Sequence, residues 1–161
     1  MRKLLFVLPL VLLAAVLLAG CLAPDTPLTP RGNSFTYENA DNFRPDGLGI
    51  WRLEVTDAGM FSMRYSVRDF IESFAPQPLA PAAREELWQR ILACNFPGRP
   101  SSDRAGQFGE QLIVFTLQYN GRNHYCKIFA SDARLDPALV ALLDTLTELV
   151  RARSNRPAQL Y

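Results

Sequence analysis

Asn120-Gly121 lies between two runs of alternating apolar residues, QLIVFTLQY before it and HYCKIF after it. No other dipeptide constrains this chain as strongly. A two-residue turn that needs left-handed backbone at both central positions suits Asn-Gly, and it fixes the register of the strands it joins. With Asn120 and Gly121 at the centre of the turn, Leu117 falls opposite His124, Phe115 opposite Cys126 and Ile113 opposite Ile128. One face of the hairpin then carries Ile113, Phe115, Leu117, His124, Cys126 and Ile128, and the other carries Leu112, Val114, Thr116, Tyr125, Lys127 and Phe129. The first face is the natural core side.

A second hairpin is expected upstream. Trp51, Leu53 and Val55 alternate with Arg52 and Glu54, an Asp57-Ala58-Gly59 turn follows, and Phe61, Met63, Tyr65 and Val67 alternate with Ser62, Arg64 and Ser66. Each hairpin precedes a helical pattern. Pro81 suits a first helical turn, and Leu87, Trp88, Ile91, Leu92 and Cys94 recur at intervals of three and four, with Glu85, Glu86 and Arg90 on the opposite side. Asp136-Pro137 opens the second helix, with Asp136 placed to accept from a free first-turn amide. Leu139, Leu142, Leu143, Leu146, Leu149 and Val150 form its apolar stripe. The expected architecture is α+β in the order ββαββα, with two helices on one face of an antiparallel sheet.

The amino terminus follows a different logic. Met1, Arg2 and Lys3 give a positive start, Leu4 to Leu18 carries no charge, and the small residues Ala19 and Gly20 precede Cys21. That is the order of a secretory signal. Its 15 apolar residues fall short of the roughly 20 that cross a bilayer as a helix. Leu18-Ala19-Gly20-Cys21 resembles the lipobox of bacterial lipoproteins. The resemblance implies that residues 1–20 are removed as a signal peptide and that Cys21 receives a diacylglyceryl group and an acyl chain such as palmitate. The anchored protein would then be extracytoplasmic, and two or three chains hold a membrane far more firmly than one. Leu22 follows the cysteine in place of the Asp that commonly retains such proteins at the inner membrane. In a two-membrane cell this implies the periplasmic side of the outer membrane.

Residues 22–34, LAPDTPLTPRGNS, have no apolar period and read as an extended tether, reaching roughly 40 Å at about 3.1 Å per residue. The divisions expected are a signal peptide over 1–20, a lipidated terminus and tether over 21–47, one domain over 48–156 and a tail over 157–161. Loss of Arg2 and Lys3 takes the 17 basic residues to 15 against 16 acidic ones, near −1 overall. That balance lacks the clustered basic face of a nucleic-acid binder.

With Cys21 acylated, Cys94 and Cys126 remain, and export exposes them to an oxidising compartment. A bridge between them is expected, closing about 33 residues and contributing roughly 3–4 kcal/mol on the chain-entropy model. The alternative is two separately buried thiols. His124, the one histidine, rules out a multi-histidine metal site. Paired with Cys126 it is the one arrangement that could support Cys/His nucleophilic chemistry. No glycine-rich phosphate loop follows a strand. The expectation is a non-catalytic domain without metal or cofactor.

Leu112, Val114, Tyr125 and Phe129 are too apolar for a face left open to water. Either Phe35 to Phe43 covers them or they meet another protein, such as an envelope component. Finally, RLEVTDAGMF followed by LDPALVALLDTL is similar to the emfourin-like family of thermolysin-type metalloprotease inhibitors, over about residues 50–150. In place of that family's paired glycines before an aromatic, this chain has Ala58-Gly59-Met60-Phe61. The resemblance implies a blocking loop, at Asp57, Ala58, Gly59, Met60 and Phe61 or at residues 99–108, and an exported metalloprotease as partner.

Overall fold

The computed structural model describes residues 32–40 and 49–161. Gly32–Tyr161 form one compact unit. Its strands are β1 (Ser34–Ala40), β2 (Ile50–Thr56), β3 (Met60–Val67), β4 (Phe70–Pro78), β5 (Leu112–Tyr119) and β6 (Arg122–Phe129). The helices are α1 (Pro81–Ala93), the single turn α2 (Ala130–Ala133) and α3 (Pro137–Arg151), with a 3₁₀ turn at Phe96–Gly98. All neighbouring strands are antiparallel, in the order β4-β3-β2-β1-β5-β6. The fold is α+β, but the sheet has six strands where ββαββα supplies four.

The Asn-Gly hairpin forms in the expected register, from Ile113↔Ile128 through Leu117↔His124 to Tyr119↔Arg122. Asn120 and Gly121 take φ of 50° and 74°, the left-handed pair that a type I′ turn demands. The upstream turn is of the three-residue kind. The Gly59 amide donates to the Thr56 carbonyl at 2.9 Å, and Gly59 at φ 82° supplies the left-handed closing residue.

The four-strand expectation fails first at β1. Phe35, Tyr37 and Asn39 point inward and are 1%, 0% and 2% exposed. Phe35 pairs with both Val55 and Leu117, and Tyr37 with both Leu53 and Phe115. Part of the stretch assigned to the tether is thus a central strand, joining the two hairpins into one sheet. It does not lie across the second sheet face as a cover. Of the remaining candidate cover, residues 41–43 lie outside the described residues, as does the whole amino-terminal region with Cys21.

The second failure is β4, a strand over Phe70–Pro78 that the order ββαββα does not include. Pro76 and Pro78 are tolerated because β4 is an edge strand, where a missing amide costs no ladder bond. The register shifts between Phe61 and Met63, which pair with Gln77 and Phe74. Ala75 and Pro76 therefore both lie across from Ser62, a β-bulge.

Both long helices bury their apolar stripes in a single core with the inner sheet face: Leu87 and Ile91 from α1, and Leu139, Leu142, Leu143, Leu146 and Val150 from α3. Asp136 caps α3 as expected, its carboxylate accepting from the Ala138 and Leu139 amides at 2.9 and 3.2 Å. Phe35, Phe96 and Phe115 stack around the centre, with ring centroids 5.0–6.0 Å apart.

The expected tail is part of that core. Leu160 is 1% exposed. Its carbonyl accepts from the Tyr37 hydroxyl and, at 3.0 Å, from Gln111 Nε2, while the Trp51 indole donates to the Pro157 carbonyl at 2.9 Å. Three buried donors from three strands or their margins thus find acceptors in the last few residues.

Candidate functional site

The outer sheet face at the β5–β6 end is the candidate site. Period-two alternation puts Leu112, Val114, Tyr125 and Phe129 on it together, and the register sets Leu112 directly across from Phe129. Leu112, Val114 and Phe129 are half-buried and Tyr125 is exposed. Toward the middle of the sheet this apolar surface gives way to the charged residues Glu38, Arg52 and Arg64, of which Arg52 and Glu38 pair at 2.7 Å. Lys127 Nζ stands 5.4 Å from the centroid of the Tyr125 ring.

The segment after α1 frames this face. Ser101 and Ser102 run along the free edge of β6. The Ser102 amide donates to the Lys127 carbonyl at 2.8 Å, and the Lys127 and Phe129 amides donate to the Ser101 and Ser102 hydroxyls at 3.0 and 3.4 Å. This end of the edge, at Lys127 and Phe129, is sealed against pairing with another strand. Arg104 then lies over the Phe129 ring at 4.4 Å, forks onto both Glu110 oxygens and reaches Asp132 at 3.1 Å. Gly106 sits against the same ring. A Cβ there would come within 2.7 Å of Phe129 Cε1, so any other residue would have to displace the ring.

Glu110 organises the rest of the loop. It accepts from Arg104, from the Ser131 hydroxyl and, at 2.9 Å, from the Gln107 amide. The Arg104 guanidinium, foremost among these donors, holds its carboxyl down at about 2. Ser102 and then Arg104 hold the Asp132 carboxyl below its ordinary value in the same way. The Glu110 amide closes the turn onto the Gln107 carbonyl at 3.0 Å, with Gly109 at φ 76°. At the apex of this clamped turn is Phe108, 88% exposed. It lies two residues past Gly106, within about 7 Å of chain of the Phe129 contact.

Within residues 99–108 nothing in the sequence singles out Phe108. Its signal was a lone aromatic between Gly106 and Gly109 in a Pro/Gly/Ser loop, a pattern without period and so without a face.

The other loop suggested by resemblance is held differently. Asp57 and Asn33 bind each other reciprocally. The Asn33 amide donates to the Asp57 carboxylate and the Asp57 amide to the Asn33 carbonyl, each at 2.9 Å. Asn33 Oδ1 also accepts from the Asn120 amide at 2.9 Å, so one residue ties both hairpin tips. Met60 is partly open at 36%, but Phe61 is 1% exposed and belongs to the core. The turn can present Asp57, Ala58 and Met60 to another molecule, and it cannot present Phe61.

Cys94 and Cys126 are free thiols, both buried, so the expected bridge is absent from the structure. Each sulfur has its own acceptor: Cys94 Sγ donates to the Ala138 carbonyl at 3.5 Å and Cys126 Sγ to the Pro100 carbonyl at 3.4 Å. Burial of both residues in one core does not set their Cβ directions, and a bridge requires those as well. Burial pushes the Cys94 thiol up to about 12 and raises that of Cys126. Cys126 turns its proton to Pro100 rather than to His124, and desolvation opposes the thiolate that a Cys/His dyad needs.

Among the described residues, no group of three or more His, Cys, Asp or Glu side chains is placed to hold a metal ion. No helix among them is long and apolar enough to cross a membrane. No protein-family model matches this sequence, and no curated protein matches it.

Proposed function

We propose that this chain is a bacterial lipoprotein, anchored through acyl chains on Cys21, whose extracytoplasmic domain binds another envelope protein. The contact is made by the outer face of β5 and β6 together with Phe108. The observation that carries the binding reading is the Phe108 turn. An aromatic ring left in water at the apex of a turn that Arg104 and Glu110 hold rigid is what a protein interface uses as an anchor. A preformed turn loses little entropy on docking, and anchors of this kind dominate binding energy. The adjoining Tyr125, Leu112 and Val114 supply apolar area around it, and Lys127 a charged rim. The anchoring reading rests on the Leu18-Ala19-Gly20-Cys21 sequence.

A photo-cross-linker at position 108, in the full chain in intact cells, tests the interface. It should capture one or a few envelope proteins, and Tyr125→Ala should reduce the yield at least tenfold without changing the melting temperature. Equal capture from a position on the exposed side of α1, such as Glu85, would sink the proposal. Cys21→Ala should abolish acyl labelling and release the chain from membranes, and persistent labelling would refute the anchor.

The inhibitor reading is kept in a narrowed form. Of the two segments that the emfourin-like resemblance suggests, residues 99–108 combine rigidity with an exposed aromatic, whereas Phe61 is unavailable. An inhibitor acting through this loop should slow a thermolysin-type protease stoichiometrically and lose that effect in Phe108→Ala. An envelope-assembly protein should leave protease rates unchanged.

A further inference from the structure

The two edges of the sheet are treated differently. The β6 edge is closed at Lys127 and Phe129 by Ser101 and Ser102, whereas no backbone hydrogen bond among the described residues seals any part of the outer side of β4. The two-residue turn at Arg68 and Asp69 closes on the Val67↔Phe70 pair. In an antiparallel ladder, alternate residues bond inward, so Phe70, Glu72 and Phe74 face β3. Ile71, Ser73 and Ala75, up to the bulge, turn their amides and carbonyls outward. Ile71 is 56% exposed.

We infer that β4 pairs antiparallel with β4 of a second copy of this chain, about a two-fold axis through Ser73. That register sets Ser73 against Ser73 of the copy and Ile71 against its Ala75, using every outward amide in the window. Shifting the axis to Glu72 would face two carboxylates across the ladder, which like charges disfavour. With the axis at Ser73, each Glu72 faces a Phe74. Pro76 and Pro78 lie past the last bonded pair, so they end the pairing without interrupting it. An unrelated extended peptide fits less well. Such peptides draw specificity from pockets for alternate side chains. Here the inner side of the edge is capped by Arg156, which bonds Glu72 at 2.7 Å and lies over Phe70 at 4.9 Å. A second copy needs no pocket, because it brings its own sheet.

The test uses the full chain carrying Ser73→Cys, in membranes treated with a mild oxidant. Directly opposed residues of a bonded antiparallel pair lie about 5.5 Å apart between Cα atoms, within disulfide reach. The expected result is a reducible dimer of the chain, with at least tenfold less from Ser62→Cys, which lies on the same face one strand further in. Adding Ile71→Lys to Ser73→Cys should cut the dimer at least tenfold while the melting temperature stays unchanged. No dimer from Ser73→Cys when maleimide shows the thiol accessible, equal dimer from Ser62→Cys, or an adduct with a different protein would each overturn the self-pairing.

Discussion

Removing residues 157–161 should unfold this domain, although the sequence gives those residues no periodic pattern. Truncation after Arg156 keeps the Arg156–Glu72 pair. It removes the Leu160 side chain, worth about 1.5–3 kcal/mol of apolar burial. It also takes the Leu160 carbonyl from Tyr37 and Gln111 and the Pro157 carbonyl from Trp51. A buried donor stripped of its acceptor costs about 1–3 kcal/mol, so with Gln111 and Trp51 alone the combined loss is on the order of 4–9 kcal/mol. That is comparable to the whole stability of a typical domain, about 5–15 kcal/mol. Two milder variants separate the terms. Leu160→Ala keeps the carbonyl and should cost about 2–4 kcal/mol, lowering the melting temperature by roughly 8–15 °C for a domain of this size. Tyr37→Phe removes one donor and should cost about 1 kcal/mol. Urea unfolding followed by the fluorescence of Trp51 and Trp88 reads all three. Should the truncated chain unfold within about 1 kcal/mol of the full chain with the same denaturant slope, the last residues are a tail after all and the reasoning is wrong.

Three further outcomes follow from the geometry. Gly49 and Gly121 both have left-handed φ, 75° and 74°, but a Cβ at Gly49 would come within 2.4 Å of the Tyr65 ring while one at Gly121 meets nothing. Gly121→Ala should therefore cost about 1 kcal/mol and Gly49→Ala clearly more, and equal melting temperatures would contradict this. The Glu110 carboxyl is lowered from 4.5 to about 2 in the folded chain. Its stabilising contribution is complete above pH 4.5 and fades as pH falls toward 2. Glu110→Gln should flatten the acid limb of a stability–pH curve in that window, and an unchanged slope would show that the Arg104 pairing contributes nothing. Cys94 and Cys126 should resist alkylation in the native protein at pH 8, and both should react in denaturant without reductant. A chain that yields neither thiol until it is reduced has the bridge.

How much of this molecule could be read from its sequence depended on the distance over which each feature is decided. The Asn120-Gly121 turn and the Asp136 cap are settled within four residues, and both form as read, with the whole β5–β6 register following from the turn. The edges and the centre of the sheet are settled over far longer spans. In β1, Phe35 and Tyr37 alternate like a strand, but this central position exists only because β2 and β5, which begin some 16 and 78 residues after Ser34, leave a gap that it fills. In β4 the prolines forbid an interior strand and permit an edge, and nothing local says which applies. The carboxy-terminal segment carries a single leucine, and its apolar residues follow no period. Its worth lies in backbone carbonyls, which every residue has and no sequence pattern advertises. Phe108 follows the same rule in reverse, since its exposure depends on Glu110 and Arg104 closing the turn beneath it. The outer-face residues Leu112, Val114, Tyr125 and Phe129 were legible because alternation is local. The exposure of Phe108 was not, because a loop residue has no face until the fold gives it one.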